Sequence, residues 1–148
     1  MEVNLHIYSG IGNLIAIVDG IRTDLHISSK EVDHVYNFHG VNFDQLIILL
    51  PPSDPQNDLD VKIFNNDGSI ASNCINGARC VGRFIKDNSL LASNKFKVKT
   101  DGGLWELDNV ENNIFSAAFE VKAEIITKKV EAKGIELSLD CINLGNLH

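Results

Sequence analysis

The sequence predicts an α+β domain, on three observations. Apolar and polar residues alternate over short segments, as in Val3-Asn4-Leu5-His6-Ile7 and Phe96-Lys97-Val98-Lys99, which is the two-residue period of a strand. Glycine-bearing turns such as Gly10-Ile11-Gly12, Asn66-Asp67-Gly68 and Asp101-Gly102-Gly103 separate the segments. One long helical pattern follows Cys74.

Taken in order, Val3 to Ile7 predicts a strand, and Leu14 to Val18 its return after the Gly10 to Gly12 turn. Ser28 and Glu31 have capping-box spacing and open a short helix through Val32, Val35 and Tyr36, which Gly40 ends. Gln45 to Leu50 reads as a buried strand, and the proline-bearing stretch from Pro51 to Asp58 as a loop. Asp60 to Asn65 is a further strand, closed by Asn66-Asp67-Gly68. Asn76 to about Lys86 is the central helix, with Ala78, Val81 and Ile85 on one face beside Cys80 and Phe84. The strand holding Phe96 and Val98 turns at Asp101-Gly102-Gly103, and Leu104 and Glu106 begin the return. Ile114 to Ile126 predicts one or two more strands, and Lys133-Gly134 a turn within an otherwise weakly patterned Val130 to Ile142.

A chain of 148 residues suffices for one domain with its own core. The net charge of −7, with no basic run longer than Lys128-Lys129, argues against nucleic acid and anionic membrane as partners. Apolar runs such as Leu46 to Leu50 are too short to span a bilayer, and Met1-Glu2-Val3-Asn4 does not open a secretory leader. Three cysteines are an odd count without disulfide-framework spacing, which predicts a reducing, cytoplasmic setting. Cys74 and Cys80 lack a Cys-x-x-Cys spacing and the histidines are scattered, so no metal site is expected.

Chemistry concentrates in Asn73-Cys74-Ile75-Asn76-Gly77-Ala78-Arg79-Cys80. Cys74 stands at the mouth of the central helix, where backbone N–H groups lack intrahelical partners and the dipole is positive. A thiol there is expected to have a lowered pKa, and iodoacetamide is expected to modify it before Cys80 or Cys141. The same N–H groups can cradle a carboxylate. From spacing alone, Cys74 is either an acid/base group or a small buried hydrophobe, and Asn13 and Asn65 either bind a ligand or serve turns. Cys80 and Cys141 read as structural.

Phe64-Asn65-Asn66-Asp67-Gly68-Ser69 followed by Cys74-Ile75-Asn76-Gly77-Ala78-Arg79-Cys80 resembles the first catalytic-cysteine segment of diaminopimelate epimerase. Gly10-Ile11-Gly12-Asn13, Phe43-Asp44-Gln45-Leu46, Thr100-Asp101-Gly102-Gly103 and Leu144-Gly145-Asn146-Leu147-His148 extend the resemblance in family order. It implies a lobe of curled antiparallel and mixed strands around a central helix, with residues 1–119 as the first lobe. Residues 120–148 would begin an incomplete second lobe with little to pack against. It also implies a cofactor-independent epimerase acting on the small amino acid 2,6-diaminopimelate, with Cys74 as one of two acid/base thiols.

The family's second cysteine, in a later Gly/Ser-rich segment, has no counterpart here. The resemblance therefore covers a first half, expected to be inactive alone and to need a missing lobe or a homodimer partner. By the same resemblance Asn13, Gln45, Asn65 and Asn146 bind substrate, and the Ile75 and Asn76 amides hold its carboxylate. Ile75 stands where the family has glycine, so a β-branched side chain is expected to crowd that cradle. Two other readings stay open. One is a proline-racemase-like isomerase of the same fold, against which Asn76-Gly77-Ala78-Arg79 argues. The other is a non-catalytic interaction lobe.

Overall fold

The α+β expectation is met by a sheet curled around one helix. The computed structural model describes residues 4–22, 25, 27–38, 40–111, 114–120 and 124–143. Strands β1 (His6–Gly10) and β2 (Asn13–Asp19) form an antiparallel hairpin whose turn places Ile11 and Gly12 at positive φ. Helix α1 (Ser29–Phe38) follows. The Glu31 carboxylate accepts from both the Ser28 N–H and hydroxyl at 2.7 Å, so the predicted capping-box pair does close the helix start. Next come β3 (Gln45–Leu50), β4 (Leu59–Asn65), the two-residue β5 (Ile70–Ala71), and helix α2 (Ile75–Asp87). Strands β6 (Lys95–Thr100), β7 (Gly103–Glu111) and β8 (Ile114–Phe119) complete an eight-stranded sheet among the described residues.

The sheet order is β1-β2-β3-β4-β6-β7-β8, with β5 beside β4. Two of its pairings, β2 with β3 and β4 with β6, are parallel, and the rest are antiparallel. The two-residue period sorts the side chains into two cores. Ile15, Ile17, Ile47, Leu49, Val61 and Ile63 face α2 and meet Ala78, Val81, Phe84 and Ile85; Phe96, Val98, Trp105 and Leu107 close the far side of that cluster. Their neighbours Ala16, Val18, Leu46 and Ile48 face the other way, against Val32 of α1 and Phe43. Each large apolar side chain fully buried in these clusters contributes about 1.5–3 kcal/mol. The lysines of β6 point outward, as the alternation requires.

Strands β9 (Glu124–Ala132) and β10 (Ile135–Asn143) make a separate two-stranded sheet, turned by Lys133 and Gly134, both at positive φ. Every residue of β9 is exposed. The register puts Val130 opposite Leu137, Ile126 opposite Cys141 and Ala132 opposite Ile135 on one face. Glu131 and Glu136, Lys129 and Ser138, and Thr127 and Asp140 pair on the other. The expected Ile114 to Ile126 stretch thus divides between β8 of the large sheet and the start of this ribbon. Among the described residues, no helix is long and apolar enough to cross a membrane.

Candidate active site

The site grows from the first turn of α2. Cys74 is its N-cap, with extended backbone (φ −152°, ψ 99°), and its Sγ accepts the Gly77 N–H at 3.2 Å. Sulfur here fills the place usually taken by a Ser, Thr or Asp oxygen. The close fit depends on glycine at 77: a Cβ there would stand 2.5 Å from Ile47 Cδ1 and 3.1 Å from the Cys74 sulfur. The first turn of the helix therefore sits directly on β3. No acidic side chain occupies that turn, so no carboxylate of the helix itself offsets its positive end.

The loop entering the helix is clamped from β6–β7. Trp105 Nε1 donates to Asn73 Oδ1 at 2.6 Å, with both residues buried. The Gly102 N–H donates to the Ser72 carbonyl at 2.8 Å, and a Cβ on Gly102 would come within 2.6 Å of that oxygen. Asn73 stood out in the sequence only as the residue before Cys74 and Trp105 did not, since an asparagine beside a cysteine carries no sign of a distant indole.

Polar amides converge on the same end of the sheet. Strands β2 and β3 are parallel and begin at Asn13 and Gln45; β4 runs against β3 and ends at Asn65, opposite Gln45. Asp44 ties these ends together: its carboxylate accepts the Leu14 N–H at 2.8 Å, its own N–H donates to the Leu14 carbonyl at 2.8 Å, and its carbonyl accepts the Asn66 N–H at 3.2 Å. Asn76 Nδ2 donates to Asn13 Oδ1 at 3.0 Å, joining α2 to β2. Arg79 Nη2 donates to Asn76 Oδ1 at 2.7 Å. On the neighbouring strands, Gln45 Nε2 donates to Asn65 Oδ1 at 3.0 Å, and Asn65 Nδ2 to Ser69 Oγ at 2.9 Å. The Ser69 hydroxyl in turn donates to Asp67 Oδ1 at 2.6 Å.

Of the sequence-predicted binding residues, Ile75 and Asn76 follow Cys74 in the first turn of α2, Asn13 is bonded to Asn76, and Gln45 and Asn65 pair with each other on the neighbouring strands. Asn146, and His148 with it, lie outside the described residues. The partners that hold the amides, Arg79, Ser69 and Asp67, were visible only as members of the motif. The Asn76–Arg79 spacing of three on a helix was the one available hint.

The electrostatics correct one expectation. Burial pushes the Cys74 thiol up from its ordinary pKa; the N–H groups of Gly77 and Asn76 and the Arg79 charge pull it down, but by less. The net direction is upward and not the expected lowering, because removing the thiolate from water costs more than these hydrogen bonds and the Arg79 charge return. Cys80 faces the core, where burial raises it to about 11. Cys141, read as structural, instead lies half-exposed on the β9–β10 ribbon. Ile75 keeps the right-handed backbone that a β-branched residue favours. Positive φ among non-glycine described residues occurs at Ile11, Ser89 and Lys133, so Ile75 begins the helix without left-handed backbone, and its side chain is 37% exposed. The described residues hold no cluster of metal-ligating side chains.

A family model for diaminopimelate epimerase matches residues 5–120. Diaminopimelate epimerases of Stutzerimonas stutzeri and Pseudomonas fluorescens are 34% and 32% identical over 152 residues, covering 94% of this chain. The chain spans 55%, about half, of the length of each. A solved hydroxyproline epimerase from Agrobacterium vitis, 11% identical, is similar in fold, with a TM-score of 0.67 over 95% of this chain and 48% of that one.

Proposed function

The chain belongs to the diaminopimelate epimerase family, and from that premise we propose that Cys74 is one of two thiols that interconvert LL- and meso-2,6-diaminopimelate without a cofactor. The observation that carries this reading is the Cys74 sulfur at the N-cap of α2, whose first turn holds Asn76 bonded to Asn13. An amino-acid Cα is a very weak acid. Removing its proton requires a positioned base and donors aimed at the charge that develops on the carboxylate. The Ile75 and Asn76 N–H groups at the unneutralised helix start suit that carboxylate. A neutral thiol, which burial favours at Cys74, is ready to deliver a proton. After delivery it becomes the base for the reverse direction.

Inversion needs a second acid/base group on the opposite face. Cys80 lies in the core against which Cys74 packs, on the same side of the site, and Cys141 lies on the ribbon. We assign that group to a second lobe or a second copy of the chain. Residues 1–119 then form the first lobe and residues 120–148 begin the second. Free thiols at Cys74, Cys80 and Cys141 suit the reducing cytoplasm.

The test is exchange of the substrate Cα hydrogen in heavy water, with chiral analysis of the product. The expected result for the 148-residue protein is slow exchange with retention, lost in Cys74→Ala, and no inversion. Loss of one acid/base group typically costs about 10²–10⁴-fold. Exchange that survives Cys74→Ala would remove Cys74 from the mechanism. Rapid inversion would mean that two copies assemble one site.

A further inference from the structure

We infer that Arg79 and Asp67, as positioning residues, fix opposite hydrogen-bond polarities at Asn13 and Gln45, so that Asn13 offers donors to a carboxylate and Gln45 an acceptor to an ammonium group. This rests on the epimerase reading for the identity of the ligand, but the polarity itself does not.

An amide side chain is ambiguous, because its O and NH2 ends can exchange places by rotation. A guanidinium has only donors, so Asn76 must turn its oxygen to Arg79 Nη2, 2.7 Å away. Its NH2 then faces Asn13, and Asn13 must answer with its oxygen at 3.0 Å. The NH2 of Asn13 is what remains to meet a ligand. The second relay runs the other way. An ionised carboxylate only accepts, so the Ser69 hydroxyl points its hydrogen at Asp67 and turns a lone pair to the Asn65 NH2. Asn65 then presents its oxygen to the Gln45 NH2 at 3.0 Å, which leaves the Gln45 carbonyl outward. The Ser69 N–H also donates to Asp67, at 2.9 Å, and these two bonds hold the Asp67 carboxyl below its usual range and hence ionised. The ends of the two relays stand on adjacent parallel strands, where Ile15 is in register with Gln45. A charge of each sign, set back from the ligand, thus gives neutral amides the pattern that a zwitterion requires.

The experiment uses side-chain amide NMR on the 148-residue protein. Without ligand, the NH2 groups of Gln45, Asn65 and Asn76 should exchange slowly with solvent, and that of Asn13 fast. Arg79→Lys, still a pure donor, should keep the pattern. Arg79→Gln, which can bond either way, should lose it at Asn76 and Asn13, whereas a merely structural contact would tolerate Gln as well as Lys. Pimelate, with carboxylates and no amine, should shift Asn13, and cadaverine, with amines and no carboxylate, should shift Gln45. Arg79→Gln should weaken pimelate by about tenfold and spare cadaverine, and Ser69→Ala should do the reverse. Protection of the Asn13 NH2 equal to that of Asn76, or equal weakening of both ligands by both variants, would overturn the inference. If none of diaminopimelate, pimelate and cadaverine moved an amide while the exchange pattern held, the polarity would stand and the epimerase reading would fall.

Discussion

Asn73→Ala should destabilise the domain and loosen Cys74 at the same time. Trp105 is 1% exposed and Asn73 8%, so the alanine variant leaves the indole N–H buried with its acceptor, once 2.6 Å away, removed. An unmet buried donor costs about 1–3 kcal/mol, and the vacated volume adds to that. Trp105→Phe should cost a comparable amount, and the double variant less than the sum, because the two changes remove one interaction. Trp105 is the chain's single tryptophan, so its emission reports on this contact directly. Urea titrations followed by that emission for Asn73→Ala, and by circular dichroism for the Phe variants, give the three free energies. Iodoacetamide trapping of Cys74, one residue from Asn73, should accelerate in Asn73→Ala as the loop opens. A loss below about 0.3 kcal/mol with unchanged Cys74 trapping would refute the clamp, since that is the size of ordinary surface effects.

Three further outcomes are expected. In the native protein iodoacetamide should reach Cys141 first, then Cys74, with Cys80 last, and the Cys74 rate should climb through an apparent pKa above the ordinary thiol value; peptide mapping with Cys74 first at neutral pH would reinstate the dipole argument. Ile11 holds a β-branched residue at φ 51° while 79% exposed, so Ile11→Asn should raise stability by about 1 kcal/mol in urea unfolding, and a loss would mean the side chain packs usefully. Stability should fall with alkali. The Cys80 thiol ionises near its ordinary 9 when unfolded but near about 11 when folded, so its contribution is full below the first value and lost on rising through the second. Cys80→Ala should flatten part of that decline, and an unchanged slope would place the titration elsewhere.

Strands with clean alternation were legible because burial on one face imposes a period of two; β6, with Lys95, Lys97 and Lys99 outward, is the clearest. Strand β5 was not, since Ile70 and Ala71 are too few to show a period. The parallel pairing of β2 with β3 was also hidden: α1 intervenes in sequence, and nothing local marks a partner thirty residues away. Cys74 was found because a motif and a helix start coincide at one place. Its pKa was not, because the motif records the dipole while the opposing desolvation comes from packing by distant strands. The amides at 13, 45, 65 and 76 were named as residues, but their orientation depends on which charge each relay reaches in space.

The β9–β10 ribbon has a consequence for the order of assembly. All its cross-strand bonds lie close to the Lys133-Gly134 turn in sequence, and such hairpins form in about 1–10 μs. The large sheet must first bring β2 to β3 and β4 to β6 across long stretches of chain, which is slower. The ribbon can therefore close while the rest is still searching, and it then presents Ile126, Val130, Leu137 and Leu139 to whatever is nearby. A two-stranded sheet is marginal on its own, so it opens and closes repeatedly, exposing both edges and the apolar face. Losses during refolding at high concentration should begin there, and lysine at Val130 or Leu137 should raise the soluble yield without shifting the Trp105-detected midpoint.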